Sequence, residues 1–165
     1  MALLVVEDLR VELPTNRGMA PAVRGVSFSL QPGGTLGIVG ESGCGKSMTA
    51  LALMGLLPYG ARACGRVNLD GTDLLSLDED AWCAMRGNRM AMIFQEPMTS
   101  LNPVHRIGRQ IAEPLRLHRG LRGAGARAEV LRLLDRVGLP DPTRRINFYP
   151  HNLSGGQRQR VMIAM

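Results

Sequence analysis

Lysine is almost missing from this chain. Of its 20 basic side chains 19 are arginine, and the single lysine is Lys46. Aromatic residues are scarce as well, with one Trp, two Tyr and three Phe. Between Trp82 and Phe148 only Phe94 interleaves with the arginines, which gives poor support to a stacking platform for nucleic-acid bases. Cysteine occurs three times, at Cys44, Cys64 and Cys83. An odd number without metal-ligand spacing reads as free thiols of a reducing compartment. No apolar run approaches the roughly 18 residues of a membrane-spanning helix. Met1 to Asp8 carry no basic n-region and too short an apolar stretch for a signal peptide, so a cytoplasmic protein is expected.

What remains is an ordinary globular composition. The chain has 165 residues, 45% hydrophobic and 21% charged, enough for one domain with a real core. The net charge of +6 is uneven. Residues 1–100 hold 8 basic and 10 acidic side chains, whereas residues 101–165 hold 12 and 4. A basic half can signal an anionic partner, but a solvated arginine-rich helical face is the plainer reading. No nucleic-acid partner is expected.

Gly40-Glu41-Ser42-Gly43-Cys44-Gly45-Lys46-Ser47 fits G-x-x-x-x-G-K-[ST], the phosphate-binding P-loop. Its context is right. Thr35-Leu36-Gly37-Ile38-Val39 before it suits a buried parallel strand, and Met48 to Leu57 after it reads as a buried helix stopped near Pro58. Glycines let the backbone curl until successive N–H groups converge on one phosphate, and the helix adds its positive end. Lys46 can then reach the β- and γ-phosphates and the Ser47 hydroxyl can ligate Mg²⁺. A glycine-rich turn with an incidental lysine is the bland alternative. The chain's only lysine at this position favours a nucleotide triphosphate site.

Elsewhere the pattern alternates between strand and helix signals. Leu9, Val11 and Leu13, then Val26, Phe28 and Leu30, alternate with polar residues as half-buried strands do, with a loop from Pro14 to Pro21 between them. Pro32-Gly33-Gly34 forms a turn. Arg66 to Leu69 is a short strand closed by Asp70-Gly71. Asp78 is placed as the N-cap of a helix through about Arg86. Arg89 to Phe94 is a second buried strand candidate, delivering Gln95 at its carboxyl end. Ile107, Ile111 and Leu115 recur at helical spacing, with Pro114 expected to kink or end that helix near Glu113. Val130, Leu133, Leu134 and Val137 mark another helix, closed by Gly138 and Pro140.

Leu153-Ser154-Gly155-Gly156-Gln157 is the second informative stretch. Ser154 and Gln157 are spaced as Ncap and N3 of a capping box opening a helix through Met165. Gly155 and Gly156 cost helix propensity, about 1 kcal/mol each against Ala. They also leave the helix's free N–H groups bare, so that a phosphate can approach from outside.

The chain therefore resembles the nucleotide-binding subunits of ABC transporters: P-loop, Q-loop glutamine and LSGGQ signature stand in family order. The P-loop octet, Phe94-Gln95-Glu96-Pro97-Met98-Thr99-Ser100-Leu101-Asn102-Pro103, and Tyr149-Pro150-His151 ahead of the signature are similar to the oligopeptide, dipeptide and nickel importer branch. The resemblance implies an α/β P-loop NTPase fold of the ABC type, with an antiparallel β subdomain and a helical subdomain. It implies residues 1–97 as nucleotide-binding core, 98–152 as helical subdomain and 153–165 as the signature and the start of its helix. ATP and Mg²⁺ are the implied ligands. Gly40, Ser42, Gly43, Cys44, Gly45, Lys46, Ser47 and Met48 would cradle the phosphates. In a sandwich of two ABC subunits, identical or different, Ser154, Gly155, Gly156 and Gln157 of one would face the P-loop of the other. Gln95, with Ser47, would serve Mg²⁺ and the attacking water. The loop after it, with Glu96, Met98 and Leu101 as contact candidates, would meet membrane-spanning permease subunits at the inner face of the plasma membrane.

Departures from the family pattern also carry expectations. The resemblance places an aromatic of the first strand on adenine, where this chain has Leu13, and an acidic residue where Asn152 stands. The family's strand ending in Asp-Glu and its switch histidine follow the signature helix; the 165 residues stop before them, and His151 is not that histidine. Hydrolysis by these residues alone is therefore expected to be negligible, and an apolar strand edge is expected to be exposed. A catalytically inactive module of the same ancestry is one alternative. A DNA-repair-type ATPase is another, disfavoured because only 57 residues separate Gln95 from Leu153, too few for a long coiled coil.

Overall fold

The computed structural model describes residues 2–94 and 100–165. They divide into two compact units, Met1–Arg86 and Gly87–Met165.

The first unit is built on an antiparallel sheet in the order β2-β1-β3-β4. Strand β1 is Leu4–Thr15, β2 is Gly18–Leu30, β3 is Arg62–Leu69 and β4 is Thr72–Asp73. Val6, Leu9 and Val11 of β1 are all buried, although the step from 6 to 9 breaks strict alternation. A register shift between Val6 and Leu9 resolves this. Asp8 there takes a φ of 47°, so the bulge returns the apolar side chains to one face. Gly65 on β3 makes room for it, since a side chain at 65 would collide with the Asp8 carbonyl.

Helix α1, Lys46–Leu53, buries Thr49 and Ala52, and α2, Glu79–Met85, buries Trp82. Asp78 caps α2 as expected, its carboxylate accepting from the Ala81 N–H at 2.8 Å. The Asp70-Gly71 turn is also present, both residues having positive φ.

Four expectations about residues 1–94 are corrected. The segment Pro14–Pro21 is not a loop but the hairpin of β1 and β2, paired down to Thr15 and Gly18. Prolines are tolerated there because β2 is an edge strand, and because β1 pairs with β3 only as far as Glu12. Thr35–Val39 is not a strand: Val39 is 95% exposed, Ile38 49% and Leu36 43%. An apolar run becomes a central strand only when neighbours on both sides take its N–H and C=O groups, and among the described residues no strand pairs with it. Arg89–Phe94 likewise forms no strand, with Ile93 and Phe94 exposed. Helix α1 is also shorter than expected, closing at Met54 and Gly55 rather than near Pro58.

The second unit is helical. Helix α3 is Ile107–Arg119, α4 is Gly123–Arg136, α5 is the single turn Pro142–Arg145 and α6 is Gly155–Ala164. Their shared core contains Ile107, Ile111 and Leu115 of α3, Val130 and Leu134 of α4, and Val161 and Ala164 of α6. Pro114 does not end α3, which continues to a left-handed C-cap at Gly120. Burial of the stripe on either side of the proline outweighs the lost hydrogen bond. Gly108 packs without a side chain against the Ile146 carbonyl, to which its own N–H donates at 3.0 Å. Leu101, expected at a partner surface, is instead 3% exposed in this core.

Candidate phosphate-binding site

The loop between Gly40 and Lys46 curls as the glycines allow. Gly43 and Gly45 adopt φ values of 82° and 96°, a region that L side chains avoid. Gly45 is constrained a second way, because a Cβ there would lie 2.6 Å from the Ala22 carbonyl oxygen of β2. It is also the N-cap of α1 and offers no side-chain cap. The first intrahelical bond is Thr49 N–H to the Gly45 carbonyl at 2.8 Å. The earlier N–H groups, of Lys46, Ser47 and Met48, therefore face the loop as orphan donors.

Lys46 bends back over this concavity. Its ammonium donates to the Gly40 carbonyl at 2.7 Å and the Glu41 carbonyl at 2.6 Å, with the Cys44 sulfur at 3.5 Å. Gly40 packs closely on Cys44, and a Cβ there would stand 2.6 Å from Sγ unless that side chain moved. The Ser47 hydroxyl is exposed on the first turn of α1. Beside the loop opens a cavity of about 510 Å³, lined by Val23 and Arg24 of β2, Ile38, Val39, Gly45 and Lys46 among others. Its described lining holds no carboxylate and no aromatic ring.

The residues expected to cradle phosphate, Gly40 to Met48, are thus brought together on one loop and helix start. Ser154 to Gln157 belong to the second unit. There the capping box forms in both directions: Gln157 N–H donates to Ser154 Oγ at 3.4 Å and Ser154 N–H to Gln157 Oε1 at 3.2 Å. A side chain at Gly155 or Gly156 would meet open space, so these glycines are not required by packing and leave the N–H groups of α6 uncovered. Gln95 lies outside the described residues. His151 stacks on Tyr149 with ring centroids 5.5 Å apart. Leu13 pairs with Ala20 and does not line the cavity. Arg24 does, and no motif pointed to it; only the register of β2 beside the loop reveals it.

A family model described as ABC transporter matches residues 23–165. The chain belongs to the ABC transporter family. Its fold agrees with solved ABC cassettes. The dimeric post-hydrolysis ATP-binding cassette MJ0796, bound to ADP and Pi, is 26% identical with a TM-score of 0.83, covering 98% of this chain and 67% of that one. Among curated relatives, the peptidoglycan transport ATP-binding protein YejF of Agrobacterium fabrum is 54% identical over 99% of this chain. The oligopeptide transport ATP-binding protein OppD of Escherichia coli is 51% identical over 99%. The ABC cassette described here spans 30% and 49% of those two relatives.

Proposed function

We propose that this chain is the nucleotide-binding part of an ABC importer ATPase that takes up oligopeptides, dipeptides or a similar solute. The observation that carries the reading is the placement of the chain's only lysine over the concave backbone of Gly40–Gly45. The relatives, peptidoglycan and oligopeptide transport ATP-binding proteins, support the class of solute.

In this reading the triphosphate lies where the Lys46 ammonium now meets two carbonyls. The ammonium exchanges them for β- and γ-phosphate oxygens, and the N–H groups of Gly45 to Met48 donate to the same phosphates. Among the described residues no cluster of His, Cys, Asp and Glu can cage a metal. A hard cation such as Mg²⁺ is suited to the Ser47 hydroxyl together with phosphate oxygens. When bound it supplies charge neutralisation across those oxygens. Gln95 is assigned to orient water near that cation. Residues 1–97 serve as the core, 98–152 as the helical subdomain and 153–165 as the signature segment.

The signature of one subunit, Ser154 to Gln157, faces the P-loop of a second ABC subunit, and permease subunits meet the loop after Gln95. The dimeric MJ0796 cassette supports the first pairing. No helix among the described residues is long and apolar enough to cross a membrane, which fits a peripheral position on the cytoplasmic face. The test is calorimetry of Mg-ATP with Lys46→Ala. At least a tenfold loss of affinity is expected, because the ammonium offsets phosphate charge in a partly dry cavity. Equal affinity of variant and parent refutes the site.

A further inference from the structure

Arg24 and Arg10 stand directly opposite each other on β2 and β1. Like charges facing across a strand pair are destabilising, and only one of these two is compensated. Asp8 spends both carboxylate oxygens on Arg10, Oδ1 accepting from Nε and Oδ2 pairing with a terminal nitrogen, each at 3.1 Å. That contact raises the Arg10 pKa above its ordinary value, chiefly through the hydrogen bond. Gly25 makes space for the pair, because a side chain at 25 would meet Asp8 Oδ1. Arg24 is exposed, and among the described residues no carboxylate pairs with it. It lines the cavity that also contains Lys46.

The rest of that cavity explains what such a side chain can do. Its walls beside Arg24 are apolar, from Val23, Val26, Ile38 and Val39, a surface suited to a flat heterocycle and not to phosphate oxygens. A base held there gains affinity from a stacking partner, and the described lining contains no aromatic ring to provide one. A guanidinium is planar, weakly hydrated and stacks on aromatic faces, whereas an ammonium does not offer a plane.

We propose that Arg24 is the base-stacking residue of this site, its guanidinium plane lying on the purine of a nucleotide whose phosphates sit on Gly40–Ser47. The inference rests on the nucleotide reading of the P-loop and adds a positioning residue and a specificity to it. Stacking reads the π face and not the base edges, so adenine and guanine nucleotides bind alike.

Calorimetry on the 165-residue chain with Mg-ATP, Mg-GTP and Mg-tripolyphosphate tests this, using Arg24→Ala, Arg24→Lys and Lys46→Ala. Arg24→Ala is expected to weaken ATP and GTP about tenfold each while tripolyphosphate changes less than about twofold. Arg24→Lys, which keeps the charge and loses the plane, does not restore nucleotide affinity. The Arg24→Ala variant should melt at or above the parent, because a repulsive cross-strand pair is removed. Parallel loss of tripolyphosphate binding with rescue by lysine makes Arg24 a phosphate contact and overturns the proposal. Unchanged ATP affinity in Arg24→Ala, with Lys46→Ala still defective, overturns it while leaving the P-loop reading intact. If the parent binds neither ATP nor tripolyphosphate, both readings fall.

Discussion

Gly55 lies against the indole of Trp82 so closely that a Cβ at 55 would enter the ring. Its φ of 61° is left-handed as well. The contact sits in a small knot. The Arg86 guanidinium lies 5.1 Å from the Trp82 ring centroid and donates to the Met54 and Gly55 carbonyls at 2.9 and 2.7 Å. These are last-turn groups of α1 that would otherwise lack partners.

Gly55→Ala should therefore destabilise the first unit by about 2 kcal/mol or more, combining left-handed strain with overpacking. Urea unfolding measures it. A midpoint unchanged from the parent would show that Trp82 yields without cost.

Gln110 is a second buried determinant, 6% exposed on α3. Its amide accepts from the Asn102 N–H at 2.9 Å and donates to the Asn102 and His105 carbonyls at 2.9 and 2.8 Å. Gln110→Leu leaves those backbone groups without their partner and should cost about 1–3 kcal/mol. Faster amide exchange confined to residues 101–106 is the expected local sign, and uniform exchange across the unit would refute the assignment.

Glu129 on α4 gives a pH signature. Hydrogen bonding to Arg132, opposed by partial burial and aided by the charges of Arg132 and Arg119, lowers its pKa to about 2. The folded value lies below the unfolded one, about 4.3. Its stabilising contribution is thus present above that unfolded value and lost as pH falls toward 2. Melting of the parent should decline more steeply between pH 5 and 2 than melting of Glu129→Gln. Parallel declines would remove Glu129 from the account.

Hydrolysis sets the last expectation. The described lining of the P-loop cavity offers no carboxylate to act on an attacking water. Glu41 contributes its main-chain carbonyl to Lys46, and the neutral side chain of Gln95 is no carboxylate base. Residues 1–165 alone should release phosphate from ATP no faster than the Lys46→Ala control. Lys46-dependent turnover above that control would demand a base not yet identified.

Local chemistry was legible without coordinates. Asp78 and Ser154 announce helix starts because a short side chain reaches an N–H two or three residues ahead, and the structure places both caps accordingly. The curled loop ahead of α1 was legible for the same reason: its glycines, Lys46 and the start of α1 lie within eight consecutive residues. Tertiary contacts decided the rest. Leu36, Ile38 and Val39 carry the composition of a buried strand, yet strand state depends on neighbours that composition does not name. Leu101 has the look of a surface contact in a proline-bounded loop and is claimed by a helical core. Arg24 is one arginine among 19 by sequence. Only the tertiary structure, which sets it opposite Arg10 on β1 and on the lining of the cavity that also holds Lys46, distinguishes it. Hydrogen bonds within a few residues are written in the chain, whereas register and burial join residues that the sequence holds apart.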